Sequence, residues 1–258
     1  MIQEVIRIAA EAGDIIQAAY REGLHPTLKE GAEPVTLADR EADAHLRRRL
    51  QAFAPAGWLS EESADDRSRL ECSRVWVVDP LDGTKEFIRG LPEYAVSIAL
   101  VEDGRPILGL IHNPATNETF WSCRGTGTFR NGTRLRVRES RVLLASRTEA
   151  DEGEFEPFQE GWTVRRCGSI AYKMALVSAG QGAGTLSRGP KREWDVCAGS
   201  ILVEEAGGVV TDALGAPLRF NRAPPRTAGV LAAAPRAHRR LLSAARAVGM
   251  ADRPGLAP

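Results

Sequence analysis

The sequence lacks an excess of charge of either sign. It carries 34 Lys and Arg residues against 34 Asp and Glu residues, so its formal net charge is zero. Aromatic residues make up only 6% of the chain, and no stretch approaches the roughly 18 uninterrupted apolar residues that a spanning helix needs. A neutral chain with few aromatic rings is poorly suited to hold a nucleic acid polymer. We therefore expect neither a nucleic acid partner nor a membrane span.

Cysteine and histidine are also scarce, with four residues of each kind. The cysteines are far apart and form no C-x-x-C pair, and the histidines form no H-E-x-x-H motif, which argues against a zinc site and a disulfide framework. The N-terminal segment has charges inside its apolar run, so it is a poor signal peptide. We expect a reduced, cytoplasmic protein in which carboxylates would hold any metal. Such ligands favour a hard ion such as Mg²⁺.

What the chain does contain is an ordinary globular mixture, with 43% hydrophobic and 26% charged side chains in 258 residues. Apolar residues at helical spacing predict helices over 2–20 and 36–53, the second with Thr36 and Asp39 as a capping box. Strand patterns follow, among them a hairpin over 94–114. The first half is therefore predicted to pack helices on a largely antiparallel sheet.

Strands alternate with helices in the second half of the sequence. The predicted elements include a strand over 141–147 and helices over 169–180 and 194–207. We therefore expect a mixed α+β and α/β fold with two domains, an α+β half over 1–140 and an α/β half over 141–258. The last eight residues, ADRPGLAP, are expected to be frayed.

One segment, VWVVDPLDGTKEF at 75–87, combines a buried-strand pattern with two acidic residues. Asp79 ends the apolar run, Pro80 fixes the turn, and Asp82 returns on the same side. Gly83 lets the backbone approach a ligand closely. This arrangement predicts two carboxylates beside exposed backbone N–H groups, where phosphate binds readily. Asp-Pro and Asp-Gly are also common turn dipeptides, and on this fragment alone both interpretations stand.

Two further acidic segments accompany it. LSEES at 59–63 places Glu61 and Glu62 after a short apolar stretch, and WDVCAG at 194–199 places Asp195 in the first turn of a helix. Each has a simpler explanation: a solvated loop for the first, and an acid favoured by the helix dipole for the second.

Taken in order, SEES, DPLDGT and WDVCAG resemble the motifs of the lithium-sensitive, magnesium-dependent phosphomonoesterase superfamily. That group includes inositol monophosphatases, fructose-bisphosphatases and 3′(2′),5′-bisphosphate nucleotidases. The similarity runs from PVTLADREAD at 34–43 to EEAGGVVTD at 204–212, and DPLDGTKEF most resembles the bacterial bisphosphate nucleotidase branch. The resemblance implies a layered α-β-α-β-α fold.

The resemblance also implies a metal site of two or three Mg²⁺ ions. Its ligands would be the carboxylates of Glu61, Asp79, Asp82 and Asp195 and the backbone carbonyl of Leu81. By the same similarity, Glu61 and the Thr84 hydroxyl orient and deprotonate the attacking water, and Asp39 hydrogen-bonds the threonine. Oxygen ligands of this kind are those that magnesium prefers.

Substrate contacts are also implied by position in the family's motifs. They are assigned to Asp82, Gly83, Thr84, Gly168, Ser169, Lys173, Arg188 and Asp195. An acid that receives inositol hydroxyls is common at the position of Arg188, and a guanidinium there suits a second phosphate better. For Lys191 and Arg192 beside it, a solvated basic loop is at least as good an explanation.

The expected substrate is therefore a small phosphorylated metabolite, with 3′-phosphoadenosine 5′-phosphate, cleaved to AMP and phosphate, as first choice. Inositol-1-phosphate and fructose-1,6-bisphosphate are the alternatives. A metal- and nucleotide-binding protein without turnover is disfavoured because Thr84 and all four acidic ligands are present. A calcium site of the EF-hand type is disfavoured because segment 79–84 lacks the alternating acidic residues of such a loop. A homodimer is an option that family members often use, and the sequence leaves the oligomeric state open.

Overall fold

The computed structural model describes residues 1–23, 27–28, 34–35 and 37–248. The predicted capping residue Thr36 and the tail predicted to fray lie outside the described residues.

Seven α-helices occur in the described part of the chain. They are α1 (Ile2–Glu22), α2 (Leu37–Phe53), α3 (Thr84–Ile88), α4 (Arg147–Asp151), α5 (Ile170–Ser178), α6 (Glu193–Glu205) and α7 (Pro235–Ala247). α1 buries Val5, Ile8, Ala12 and Ile16, which lie on one face at the helical period. This apolar face packs against a sheet. None of the described helices is long and apolar enough to cross a membrane.

The strands form two large sheets and two short pairs. The chain order is β1 (Thr27–Leu28), β2 (Pro34–Val35), β3 (Gly57–Ser60), β4 (Arg74–Asp82), β5 (Ala95–Glu102), β6 (Arg105–Asn113), β7 (Glu118–Cys123), β8 (Gly127–Arg130), β9 (Thr133–Leu135), β10 (Val142–Ala145), β11 (Thr163–Arg166), β12 (Gly184–Ser187), β13 (Lys191–Arg192), β14 (Val209–Thr211), β15 (Arg226–Thr227) and β16 (Val230–Ala233).

The larger sheet has seven strands in chain order from β3 to β9. All its neighbours are antiparallel except β3 and β4, which run parallel. The second sheet has the order β11-β10-β12-β16-β14, with β10 parallel to both of its neighbours and β16 antiparallel to both of its own. The first sheet confirms the antiparallel arrangement predicted for the first half.

The helices and the two large sheets stack in layers. α1 and α2 cover one face of the seven-stranded sheet, α5 and α6 lie between the two sheets, and α7 covers the far face of the five-stranded sheet. Three apolar cores fill the spaces between these layers. The α-β-α-β-α layering and the mixed α and β fold class are therefore confirmed, whereas a domain boundary at residue 140 stays a prediction.

Candidate active site

The first two predicted ligands lie at the end of β4, where the strand is irregular. Asp79 is opposite Ser97 of β5 and Asp82 is opposite Ala95, so three steps along β4 match two steps along its partner. Side chains of a regular strand alternate between faces, and Asp79 and Asp82 would then point to opposite sides. The extra residue of this bulge brings both carboxylates to one cavity. The strand continues to Asp82, three residues beyond its predicted end.

Glu61 reaches the same place because its strand is parallel to β4. Ser60 is paired with Val78, and the backbone N–H of Glu61 donates to the carbonyl of Val78 at 3.3 Å. Since parallel strands end at the same edge of a sheet, Glu61 follows its strand beside Asp79.

Asp195 comes from the helical layer between the two large sheets, in the first turn of α6. Its carboxylate accepts the backbone N–H of Arg192 at 3.1 Å and so caps the helix. The predicted position of this acid in the first turn of a helix is confirmed, and it coexists with a position in the cavity wall.

These side chains line a cavity of about 520 Å³. Ten of the twelve predicted site residues line it: Glu61, Asp79, Leu81, Asp82, Gly83, Thr84, Gly168, Ser169, Lys173 and Asp195. The two predicted residues that do not line it are Asp39 and Arg188. We call the four carboxylates of Glu61, Asp79, Asp82 and Asp195 the acidic wall.

The acidic wall is electrostatically unfavourable by itself. Burial, reinforced by the charges of Glu61, Asp82 and Asp195, raises the pKa of Asp79 well above its ordinary value. Burial and the charges of Asp82 and Glu61 do the same to the pKa of Asp195. The pKa of Asp82 is raised by burial against the opposing effect of hydrogen bonds from Ser169 and Ala171. Divalent cations would relieve this repulsion.

The acidic wall is the part of the cavity that could hold a metal ion. No group of three or more His, Cys, Asp and Glu side chains within the described ranges is gathered closely enough to hold an ion as it stands. The acidic wall and the Leu81 carbonyl nonetheless supply only oxygen donors to a single cavity, and mutual repulsion keeps uncompensated carboxylates apart. The chemistry of these donors fits a hard divalent cation.

Thr84 follows the bulge and is fixed by two hydrogen bonds of its hydroxyl. Its hydroxyl lies 3.1 Å from a carboxylate oxygen of Asp39 and 3.1 Å from the carbonyl oxygen of Leu81. Asp39 is buried in the first turn of α2, so it acts on the cavity through Thr84 and not from its lining. Gly83 precedes Thr84 with φ of 98°, and a Cβ there would lie 2.8 Å from the carbonyl oxygen of Glu93. Only glycine fits this turn.

Gly168 and Ser169 line the cavity with their polar groups already engaged. The N–H of Gly168 donates to Glu93 at 2.7 Å. The Ser169 hydroxyl donates to Asp82 at 2.5 Å and accepts the N–H of Tyr172 at 2.9 Å, which caps α5. Ser169 therefore holds Asp82 in place, and a direct contact of either residue with substrate stays a prediction.

Arg188 was predicted to contact the substrate, but its side chain pairs with Glu154 and does not line the cavity. Its Nε donates to Glu154 at 3.2 Å, and the two side chains are only 12% and 9% exposed. A role in binding a second phosphate stays a prediction, with no support from this position.

The sequence profile of the inositol monophosphatase family matches residues 1–250. The chain belongs to this family. It is 34% identical over 227 residues to a Nus factor SuhB of Pasteurella multocida, covering 82% of this chain and 85% of that one. It is 34% identical over 231 residues to an inositol-1-monophosphatase of Rhizobium meliloti, covering 83% and 86%. A 3′(2′),5′-bisphosphate nucleotidase CysQ of Aggregatibacter actinomycetemcomitans is 30% identical over 236 residues, covering 86% and 88%.

The fold comparison agrees with the sequence comparison. The solved structure of an IMPase of Thermotoga maritima superposes with a TM-score of 0.85 at 29% identity, over 96% of this chain and 97% of that one. These relatives carry three different names, so the comparisons identify a phosphatase family and leave the substrate to be argued from the site.

The cavity is also lined by residues that the sequence analysis did not predict. Glu149 of α4 and Ser187 of β12 line the cavity together with Lys191. We call Glu149, Lys173, Ser187 and Lys191 the lysine wall. An Arg-Thr-Glu segment directly after a strand was the only local signal for Glu149, and it is too common to be recognised. Lys191 was noted, but its position could not be distinguished from a solvated loop.

Proposed function

We propose that this protein hydrolyses a small phosphate monoester with Mg²⁺ ions held by the acidic wall and the Leu81 carbonyl. The observation that carries the proposal is the convergence of acidic side chains from three distant segments on one cavity. Burial raises the pKa values of Asp79, Asp82 and Asp195, and repulsion by neighbouring carboxylates raises those of Asp79 and Asp195 further. Such an arrangement costs stability unless cations neutralise it.

Bound divalent ions would supply charge stabilisation for the phosphate and would acidify a water nucleophile. The protein's own part is orientation and proton transfer. Asp39 and the Leu81 carbonyl fix the direction in which the Thr84 hydroxyl donates its proton. The lone pairs of Thr84 Oγ1 are then available to accept a hydrogen bond from the attacking water. Glu61 lines the same cavity, and we assign it the role of the base that takes the proton lost by this water.

For the substrate we propose an ester with a second anionic group, with 3′-phosphoadenosine 5′-phosphate as the first choice. The cavity lining contains four cationic side chains, Lys85, Lys173, Lys191 and Arg192. A second phosphate would form charge-assisted hydrogen bonds with such cations, which a neutral leaving group cannot do.

A polyol phosphate such as inositol-1-phosphate is a second candidate because the cavity also contains Glu149. Both hydrogen bonds of its carboxylate fall on Oε1. The other oxygen could accept a substrate hydroxyl.

The test is phosphate release from 3′-phosphoadenosine 5′-phosphate, inositol-1-phosphate and fructose-1,6-bisphosphate, each with Mg²⁺, with EDTA, and with Mg²⁺ plus Li⁺. We expect Mg²⁺-dependent release, abolished by EDTA, inhibited by Li⁺, and highest in kcat/KM for the adenosine bisphosphate. Highest kcat/KM for inositol-1-phosphate would overturn the substrate choice. Equal release in EDTA from a metal-free preparation would overturn the metal-dependent mechanism.

A further inference from the structure

We infer that Lys191, held in place by Glu149, binds the second anionic group of the substrate, in the role that the sequence suggested for Arg188. This inference rests on the proposed function, because it assigns a specificity residue to the same cavity.

The first support is the way in which Lys191 is fixed. Its Nζ lies 3.2 Å from Oε1 of Glu149, and the Ser187 hydroxyl donates to the same oxygen. Glu149 belongs to α4, whose first turn is capped by Ser146. The ammonium group is therefore anchored to a carboxylate whose own backbone is fixed, which limits the entropy lost when a ligand binds.

The backbone of Lys191 is fixed as well. It lies in β13, paired with Thr227 of β15, directly before the helix that carries Asp195. Its positive charge lowers the pKa of Asp82 and of Asp195 against the effect of their burial. Lys191 also lines the same cavity as the acidic wall, so one ligand can contact both.

Access distinguishes Lys191 from Arg188 and Lys173. Its side chain is 25% exposed and lines the cavity. Arg188 is outside the cavity lining and paired with Glu154. Lys173 is almost fully buried, with Nζ 3.3 Å from the carbonyl oxygen of Cys167, and burial lowers its pKa.

The hydrogen-bonding capacity of the pair fits an anion. An ammonium group has three donors, and one of those of Lys191 is directed at Glu149. The remaining donors can bind phosphate oxygens in charge-assisted hydrogen bonds. A hydroxylated, uncharged leaving group would instead use Glu149, so binding measurements distinguish the two.

The binding experiment uses the whole protein with Mg²⁺ and saturating inorganic phosphate, which takes the place of the scissile group. Calorimetry then compares the affinities for adenosine 5′-monophosphate and adenosine. We expect the wild type to bind the nucleotide roughly ten-fold or more tightly than the nucleoside. Lys191→Met should reduce this ratio to about one to three, and Lys191→Arg should retain part of it.

Two further variants complete the design. Arg188→Met tests the competing assignment, and Arg166→Gln removes an arginine that is paired with Asp151 on the surface, outside the cavity lining. Both should keep the wild-type ratio. A wild-type ratio near one, an unchanged ratio in Lys191→Met, or a loss in Arg188→Met would each overturn the inference.

A kinetic comparison tests the same assignment during turnover. The kcat/KM ratio of adenosine 3′,5′-bisphosphate to adenosine 3′-monophosphate should fall roughly ten-fold in Lys191→Met, mainly through KM for the bisphosphate. A ratio that stays at the wild-type value would contradict the inference. Absence of Mg²⁺-dependent phosphate release from every ester would instead contradict the proposed function, and the calorimetric ratio would still decide the role of Lys191.

Discussion

The acidic wall and the lysine wall of the cavity are built in different ways. The acidic wall depends on backbone features: two parallel strand ends, one bulge and one helix start. The lysine wall depends on the side-chain contacts of Glu149 from α4 with Ser187 of β12 and Lys191 of β13. The charge of Glu149 also opposes the effect of burial on the pKa of Lys173 in α5. Backbone features hold charges of one sign together at a cost in stability. Side-chain pairs compensate their own charges and are easier to alter.

The largest difference between the walls should appear when the acidic wall loses a single charge. Asp79→Asn is expected to lower kcat by at least ~10³-fold, because it removes a proposed metal ligand from the centre of the cavity. Steady-state phosphate release measures this. Glu62→Gln is the matched control, since Glu62 follows Glu61 but does not line the cavity, and it should stay within about three-fold of wild type. Near-wild-type turnover by Asp79→Asn would remove the acidic wall from the mechanism.

The Thr84 hydroxyl sharpens the comparison, since it touches the acidic wall without being an acid. Thr84→Ala should lower kcat by about 10²- to 10⁴-fold, the usual size of a proton-transfer effect. Its affinity for Mg²⁺, measured by calorimetry, should remain within about three-fold of wild type. Thr84→Ser keeps the hydroxyl and should recover most of the rate. An unchanged kcat in the alanine variant would exclude Thr84 from the chemistry.

Gly168 tests how tightly the substrate side of the cavity is packed. A Cβ at this position would lie 2.2 Å from Cγ of the buried Glu86. Gly168→Ala should therefore cost about 1–3 kcal/mol in the free energy of unfolding, measured in urea. At Gly189 a Cβ would have no neighbour within 4 Å, so Gly189→Ala should change stability by about 0.5 kcal/mol or less. Equal effects of the two substitutions would show that the side chains around Gly168 can move to accommodate a methyl group.

The smallest expected effect has the opposite sign. A carboxyl whose pKa is raised in the folded state destabilises the fold once it ionises, so metal-free protein should lose stability as the pH rises above about 4, the ordinary carboxyl pKa. Asp79→Asn removes one of these charges and should stabilise metal-free protein at pH 8 by ~1 kcal/mol, or about 2–4 °C in Tm. Asp151→Asn, which alters an exposed ion pair, should not. A Tm of metal-free Asp79→Asn below that of the wild type would refute the proposed electrostatic repulsion within the acidic wall.

The two walls also differ in how far the sequence predicts them. Asp79 and Asp195 each lie within a few residues of an element that local patterning predicts, and family motifs then associate them. Helix and hairpin positions were predicted for the same local reason, and α1, α2 and the hairpin of β5 and β6 are confirmed.

Glu149 and Arg188 illustrate what local patterning misses. The short elements α4, β11, β12 and β13 were not predicted, because two to five residues carry too little periodicity to be recognised. The contact of Glu149 with Lys191 joins segments 42 residues apart. Arg188 was assigned from its place in the motif, but its direction is decided by Glu154, a partner 34 residues away. Such pairings depend on tertiary structure.

Because of the single extra residue in β4, the geometry of the site can be conserved while the sequence of the surrounding core changes. Because Asp79 and Asp82 share a face through the number of residues between them, substitutions elsewhere in the core can accumulate without turning either carboxylate. A one-residue deletion between them would do what many substitutions cannot, since it would remove the bulge and shift the Leu81 carbonyl and the residues after it relative to β5. Insertions and deletions in this segment should therefore be far more damaging than changes in amino-acid identity at the positions that pack around it.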